Sequence, residues 1–365
     1  MTAALPAWVT ARVVVLAALG LAAYVASKYS GTDPRLAGPH PGYWGWDAGW
    51  YEAIASRGYG ALDREALRFF PLLPLLGRGL ALLLAGSERL ALILIVNASA
   101  LAVGAILHRL VVLEKSDDAL ASRATWAVAL FPAAFILVTP YAEALFMALT
   151  AGAFLAARSR RWRWCGAVGM LAGLARPLGG LLAVPMAIEA ARGWRGTSVR
   201  NRIALAAAAL APLAGTALYL AWVGVRFADP WLPVRIQQRA NLRGELAPVP
   251  TTLAKAVARL LSGDGAGAAL HLPWLALFVA LAVVAFRRWP ASYGALAALT
   301  LAAAVSTGNL DSLERYCFSA FPFALAAASL VPERLEASVG RGALALAAAG
   351  LSTYAFLAFL GPYIP

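Results

Sequence analysis

An all-α polytopic membrane protein is predicted by three features of the 365-residue sequence. Hydrophobic residues make up 61% of it and charged residues only 13%, about half the usual share of roughly 25%, and the mean hydropathy is +0.71. Runs of about 20 apolar residues, the length that crosses the hydrocarbon core of a bilayer, recur from end to end. The 31 basic and 18 acidic residues give a formal charge of +13, and most arginines fall in short links between apolar runs, where membrane topology collects positive charge. A soluble globule could not hide so much apolar surface, and disordered chains and disulfide scaffolds are excluded on the same grounds. No nucleic acid partner is expected, because the basic residues do not gather on one face and the aromatic residues beside them read as an interfacial belt.

Taken in order, the apolar runs are Ala7 to Ala26, Glu88 to Leu113, Ala119 to Thr139, Pro140 to Ala157, Trp164 to Ala175, Pro177 to Ala191, Ile203 to Val225, Leu272 to Phe286, Pro290 to Thr307, Cys317 to Val331 and Ala343 to Leu360. They make about eleven candidate transmembrane helices in one integral membrane domain spanning residues 1–365. The first run follows Arg12 and lacks a cleavage signal, so it reads as a retained helix. Phe69 to Ala85 is interrupted by Pro71, Pro74 and Arg78, and is assigned as a juxtamembrane helix in the first outer loop. With that choice Arg12, Arg109 with Lys115 and Arg123, the Arg158–Arg163 cluster, Arg192 through Arg202, Arg287 with Arg288, and Arg334 with Arg341 all face the cytoplasm. The Trp164 to Ala191 stretch must then cross twice, reversing at Arg176-Pro177 among Gly173, Gly179 and Gly180, although a single tilted helix is the alternative.

On this topology the outer face receives the loops 28–87, 226–271 and 308–316, joined by the turn at Pro140 to Glu143 and the Arg176 reversal. The unusual polar chemistry therefore collects on one side. Cys165 and Cys317 are far apart, and His40, His108 and His271 show no paired spacing, so neither a disulfide framework nor a zinc site is expected.

The first outer loop sets one carboxylate, Asp47, among Tyr43, Trp44, Trp46, Trp50 and Tyr51. An acid desolvated by aromatic rings gains proton affinity and suits a general base; the plainer role is an N-cap for a helix starting at Ala48. Glu143 heads an apolar helix, where the helix dipole favours an acid, and is also a candidate second carboxylate that holds the acceptor or orients Arg176. Arg176 and Arg315 stand at outer helix ends, where an arginine at membrane depth is a functional candidate, against the plainer readings of a salt bridge to Glu143 and of snorkelling. Asp311 and Glu314 have capping-box spacing, Tyr316 either stacks on sugar or prenyl chain or is simply an interfacial aromatic, and the polar run Arg235, Gln237, Gln238, Arg239, Asn241 and Arg243 reads as a solvated helix face or as a contact to an acceptor or an anionic head group.

Several of these residues fall in a recognisable order. Trp46-Asp47-x-x-Trp50-Tyr51-x-x-Ile54-Ala55-x-x-Gly58-Tyr59, then Phe69-Phe70-Pro71-x-x-Pro74-Leu75, Phe131-Pro132, Pro140-Tyr141-x-Glu143-x-Leu145-Phe146, Gly173-Leu-Ala-Arg176-Pro177 and Arg315-Tyr316 resemble the PIG-V-like family of membrane mannosyltransferases, of the GT-C class. The resemblance runs over roughly the whole chain and implies a GT-C-like bundle acting on the extracytoplasmic side of the plasma membrane. It implies transfer of a sugar, usually mannose, from a polyprenyl phosphate donor to a glycan or glycolipid acceptor, with Asp47 as base; Glu143, Arg176, Arg315, Tyr316, Trp50 and Tyr51 are the candidates for the substrate-binding positions. Eukaryotic members often carry His where this chain has Trp50, so no acid–base role passes to that position.

The chemistry asks for little. A departing polyprenyl phosphate is already a stable anion, so one base and one cation suffice for inverting transfer. No cofactor or metal is expected, since two acids make a thin oxygen cage. The rival class is a lipid-linked sugar flippase or transporter, which would carry midplane polar residues in broken helices and an inverted repeat; neither is evident in the sequence.

Overall fold

The computed structural model describes residues 2–29, 42–239, 242–262, 266–331 and 339–361, with the side chains of 266–270 and 339–340 excepted. His40, Pro41, Asn241 and Arg334 lie outside the described residues. Among those described, every regular element is helical: α1 (Leu5–Tyr29), α2 (Asp47–Arg57), α3 (Leu72–Ala81), α4 (Glu88–Lys115), α5 (Asp118–Leu130), α6 (Glu143–Arg158), α7 (Trp162–Ala175), α8 (Ala183–Arg192), α9 (Val199–Phe227), α10 (Leu232–Gln237), α11 (Val249–Ser262), α12 (Ala266–Arg288), α13 (Ala291–Val305), α14 (Leu313–Phe318), α15 (Pro322–Ala328) and α16 (Val339–Leu360). Among the described residues, five stretches are long and apolar enough to cross a membrane: Thr2–Tyr29, Glu88–Lys115, Val199–Phe227, His271–Arg288 and Arg341–Leu360.

Two runs that read as continuous in the sequence are broken. Ala119 to Thr139 stops as α-helix at Leu130 and continues as a 3₁₀ turn over Pro132–Leu137, because Pro132 holds Phe131 extended and supplies no N–H. Cys317 to Val331 divides into α14 and α15 ahead of Pro322. Of the segment expected to lie along the membrane surface, Phe69 to Ala85, only Leu72–Ala81 forms a helix, α3.

The chain divides into two compact units, Met1–Ser56 with Leu76–Ala148 and Ala324–Pro365, and Arg57–Leu75 with Leu149–Phe323. In the first, α1 packs on α16 and α5 on α4, burying Val15, Val96, Val103, Leu107 and Leu110. Ser87 and Asp117 cap α4 and α5 by accepting from the Leu90 and Leu120 amides at 3.3 and 2.7 Å, as short polar side chains do before a helix.

Arg12 departs from its expected place. Its Nε donates to Asn97 Oδ1 and its Nη2 to the Leu137 carbonyl, both at 2.9 Å. Asn97 lies about 13 Å along α4 from Glu88 and about 27 Å from Lys115, at 1.5 Å per residue. Arg12 therefore does not share a level with Arg109 and Lys115. It satisfies a carbonyl that the 3₁₀ turn leaves without a helical donor.

The second unit is built on the pairing of α7 with α9, where glycine replaces side-chain bulk. A methyl added to Gly173 would stand 2.1 Å from the Pro212 carbonyl oxygen, and one on Gly215 2.0 Å from that of Met170. Thr216 Oγ1 donates to the Gly173 carbonyl at 3.2 Å. Such close backbone approach is how helices associate where lipid removes the hydrophobic incentive. Gly173→Val is expected to destabilise the protein by about 3 kcal/mol or more, read as a fall of several degrees in unfolding temperature in detergent, whereas Gly20→Val, with open space around it, should change little.

After α7 the chain turns back as the sequence suggests. Arg176 is extended (φ −154°, ψ 155°), as a residue before proline prefers, and Pro177–Leu182 is a 3₁₀ turn. A methyl on Gly179 would meet the Ala172 carbonyl oxygen at 2.1 Å, so the segment lies back along α7 and one continuous helix over 164–191 is ruled out. The stretch Arg57–Leu75 is held to α9 by aromatic side chains. Tyr219 Oη donates to the Leu67 carbonyl at 2.7 Å, the Phe70 and Tyr219 rings lie 4.6 Å apart, and those of Tyr59 and Trp222 5.3 Å apart.

Candidate functional site

The candidate residues fall on both units, and each unit is described by itself. In the first, Asp47 opens α2 directly after Trp46, whose φ is +53°. The aromatic loop before it is fastened at both ends. Tyr43 Oη donates to the Val138 carbonyl at 2.7 Å, Trp46 Nε1 to that of Ala358 at 3.4 Å, and the Gly42 amide to that of Phe359 at 2.9 Å. Burial raises the affinity of the Tyr43 phenol for its proton, opposed by Asn97 and by the charge of Arg12. Arg89 stacks over Trp44 at 5.2 Å and pairs with Glu52 at 3.4 Å. Asp47 and Trp50 are half-buried while Tyr51 is buried, so the carboxylate beside this fastened loop is only partly shielded. Glu143 heads α6 as expected and is buried.

In the second unit the structure brings together more than the sequence reading did. Tyr316 is ringed by three arginines, with guanidinium carbons 4.6 Å (Arg243), 5.3 Å (Arg176) and 5.6 Å (Arg315) from its ring centre. Arg176, Arg243 and Arg315 are only 5%, 6% and 7% exposed. Gln237 Nε2 donates to Tyr316 Oη at 3.4 Å. Burial lowers the Arg243 guanidinium's hold on its proton; Tyr316 and Asp311 oppose this and the charge of Arg315 adds to it. A buried cluster of like charges of this kind is stabilised by an anion.

Of the two readings of the polar run, the solvated helix face fails at Arg243, which is buried. It lies beyond α10, its Nη1 donates to the Asp311 carbonyl and its Nη2 to that of Ala304 at 2.6 Å. Around it the loops 226–271 and 308–316 interlock. The Gly308 amide donates to the Arg243 carbonyl at 3.1 Å, Asn309 Nδ2 to that of Leu242 at 2.8 Å, and Thr252 Oγ1 to that of Thr307 at 2.7 Å. These partners are over fifty residues apart in sequence, so no local pattern announces them. By contrast Arg235 stays at the surface, paired with Asp229 at 3.0 Å.

The capping box is a second correction. Ser312, at φ +60°, precedes α14 and makes no side-chain cap. Glu314, fully buried, instead accepts from His271 Nδ1, whose distances to the two carboxylate oxygens are 2.8 and 3.0 Å. The charge-assisted bond ties α12 to α14 and fixes the imidazole orientation. Among the described residues no three His, Cys, Asp or Glu side chains gather as a metal site. No family model and no curated protein matches the chain.

Proposed function

We propose that the protein is a membrane glycosyltransferase that moves a sugar, mannose by the resemblance of its motifs, from a polyprenyl phosphate to an acceptor hydroxyl on the extracytoplasmic side. The observation that carries the reading is the ring of buried arginines around Tyr316, a setting suited to a phosphate whose charge grows as the sugar leaves. Asp47 takes the proton of the acceptor hydroxyl. The hydroxyl oxygen forms the new bond to the anomeric carbon with inversion, and the anomeric carbon–oxygen bond to phosphate breaks, its electron pair leaving with the polyprenyl phosphate. Arg176, Arg243 and Arg315 hold that anion, and Tyr316 offers a flat face to sugar or prenyl chain.

The test uses full-length protein in detergent with radiolabelled polyprenyl phosphomannose and an alcohol acceptor. Arg315→Gln removes one charged contact, worth roughly 1.5–3 kcal/mol, so the KM for the donor is expected to rise at least tenfold. An unchanged KM would remove Arg315 from the site. Movement of the donor across vesicle membranes in the absence of acceptor, with no glycoside formed when acceptor is added, would establish the flippase reading instead.

A further inference from the structure

Away from Tyr316, the second unit contains a basic cavity of about 570 Å³ where the end of α6, the end of α8 and the start of α9 meet; Arg158, Arg160, Arg192 and Arg195 line it. Glu189, 4% exposed, engages two of them, Arg158 at 3.3 Å and Arg192 at 3.5 Å, and also accepts from Ser292 Oγ. Neither Arg160 nor Arg195 makes an ion pair among the described residues, and both are exposed at the cavity wall. Four guanidiniums against one carboxylate leave the cavity strongly positive.

An apolar groove of about 520 Å³ runs between α8 and α9 and shares Arg195 with the basic cavity; Ala190 and Ala191 line it from α8, Ala206 and Leu210 from α9, and Trp194 from the link between them. Ala206 and Leu210 lie about two to three turns into α9, one of the helices long enough to cross a membrane. A basic pocket at helix-end level that continues into an apolar groove along a membrane helix has the two-part shape of a phospholipid: phosphate first, acyl chain next.

We propose that this cavity and groove form a binding site for an anionic phospholipid, with Arg160 and Arg195 on the phosphate and an acyl chain along Ala206 and Leu210. The site does not depend on the transferase reading. Guanidinium forks match phosphate oxygens, and each arginine near a membrane surface favours an anionic lipid by about fivefold. A free phosphate would meet the same arginines but gain nothing from the groove.

Native mass spectrometry of the full-length protein released from micelles containing phosphatidylglycerol or phosphatidylcholine tests this. Wild-type protein is expected to retain phosphatidylglycerol over phosphatidylcholine, and the Arg160→Gln/Arg195→Gln double variant to lose about thirtyfold of that retention with an unchanged unfolding temperature in lipid-free detergent. Ala206→Trp, which fills the groove, is expected to weaken phosphatidylglycerol and leave the binding of inorganic phosphate alone. Equal retention of the two lipids by wild type, equal retention of phosphatidylglycerol by the double variant, or displacement of the lipid by millimolar inorganic phosphate would each overturn the proposal.

Discussion

Asp47→Asn is expected to lower sugar transfer from polyprenyl phosphomannose by about a thousandfold, with the unfolding temperature kept. A positioned general base contributes roughly 10²–10⁴-fold, and the amide that replaces it cannot accept the acceptor's proton. The substitution is nearly isosteric, and Asn starts a helix as well as Asp does. The frame that holds the loop is untouched, because Tyr43, Trp46 and Gly42 are tied to the Val138, Ala358 and Phe359 carbonyls. Loss of turnover in a folded variant would therefore report on proton transfer. A rate within tenfold of wild type, measured on purified protein with saturating donor, would show that another group removes the proton.

The second large effect is on stability. His271→Ala is expected to cost about 3–5 kcal/mol, because it leaves the wholly buried Glu314 carboxylate without its imidazole partner. Replacing both members with apolar residues, as in His271→Leu with Glu314→Met, is expected to recover most of that loss, since exchanging both partners of a buried hydrogen bond for hydrocarbon of similar shape is often nearly neutral. Unfolding temperatures of the single and double variants in one detergent, combined as a double-mutant cycle, give the coupling between the two side chains. Additive effects would show that the pair does not join α12 to α14.

The long helices were legible because their signal is local. In α1, α4, α9 and α16 the chain stays strongly apolar over the length of a span, with few charges such as Arg12, and nothing distant has to be known. The reversal at Arg176 was legible for a similar reason, since Arg176-Pro177 and the glycines around it are adjacent. What escaped the sequence depended on partners far away. Asp311 and Glu314 have the right spacing for a cap, but His271 outcompetes the helix N-terminus for Glu314 across 43 residues. Arg243 sits in a polar run that reads as solvated until Ala304 and Asp311 are brought to it. Arg12 obeys the charge rule for a first helix, yet a carbonyl exposed by the broken segment 125 residues on holds it away from the expected level. The prolines at 132 and 322 were visible, but whether an apolar run bends or stops at proline is decided by the packing around it.

The interlocked loops set an order of biosynthesis. Arg176 and Arg243 leave the ribosome well before Gly308, Asn309, Asp311 and Tyr316, which hold or complete their surroundings. At roughly 5–20 residues per second, those two arginines wait for seconds while α12 and α13 are made and inserted. The ring of arginines around Tyr316 is thus the last part of its unit to mature, and a nascent chain stopped after α11 would carry Arg176 and Arg243 without the later loop that closes on them.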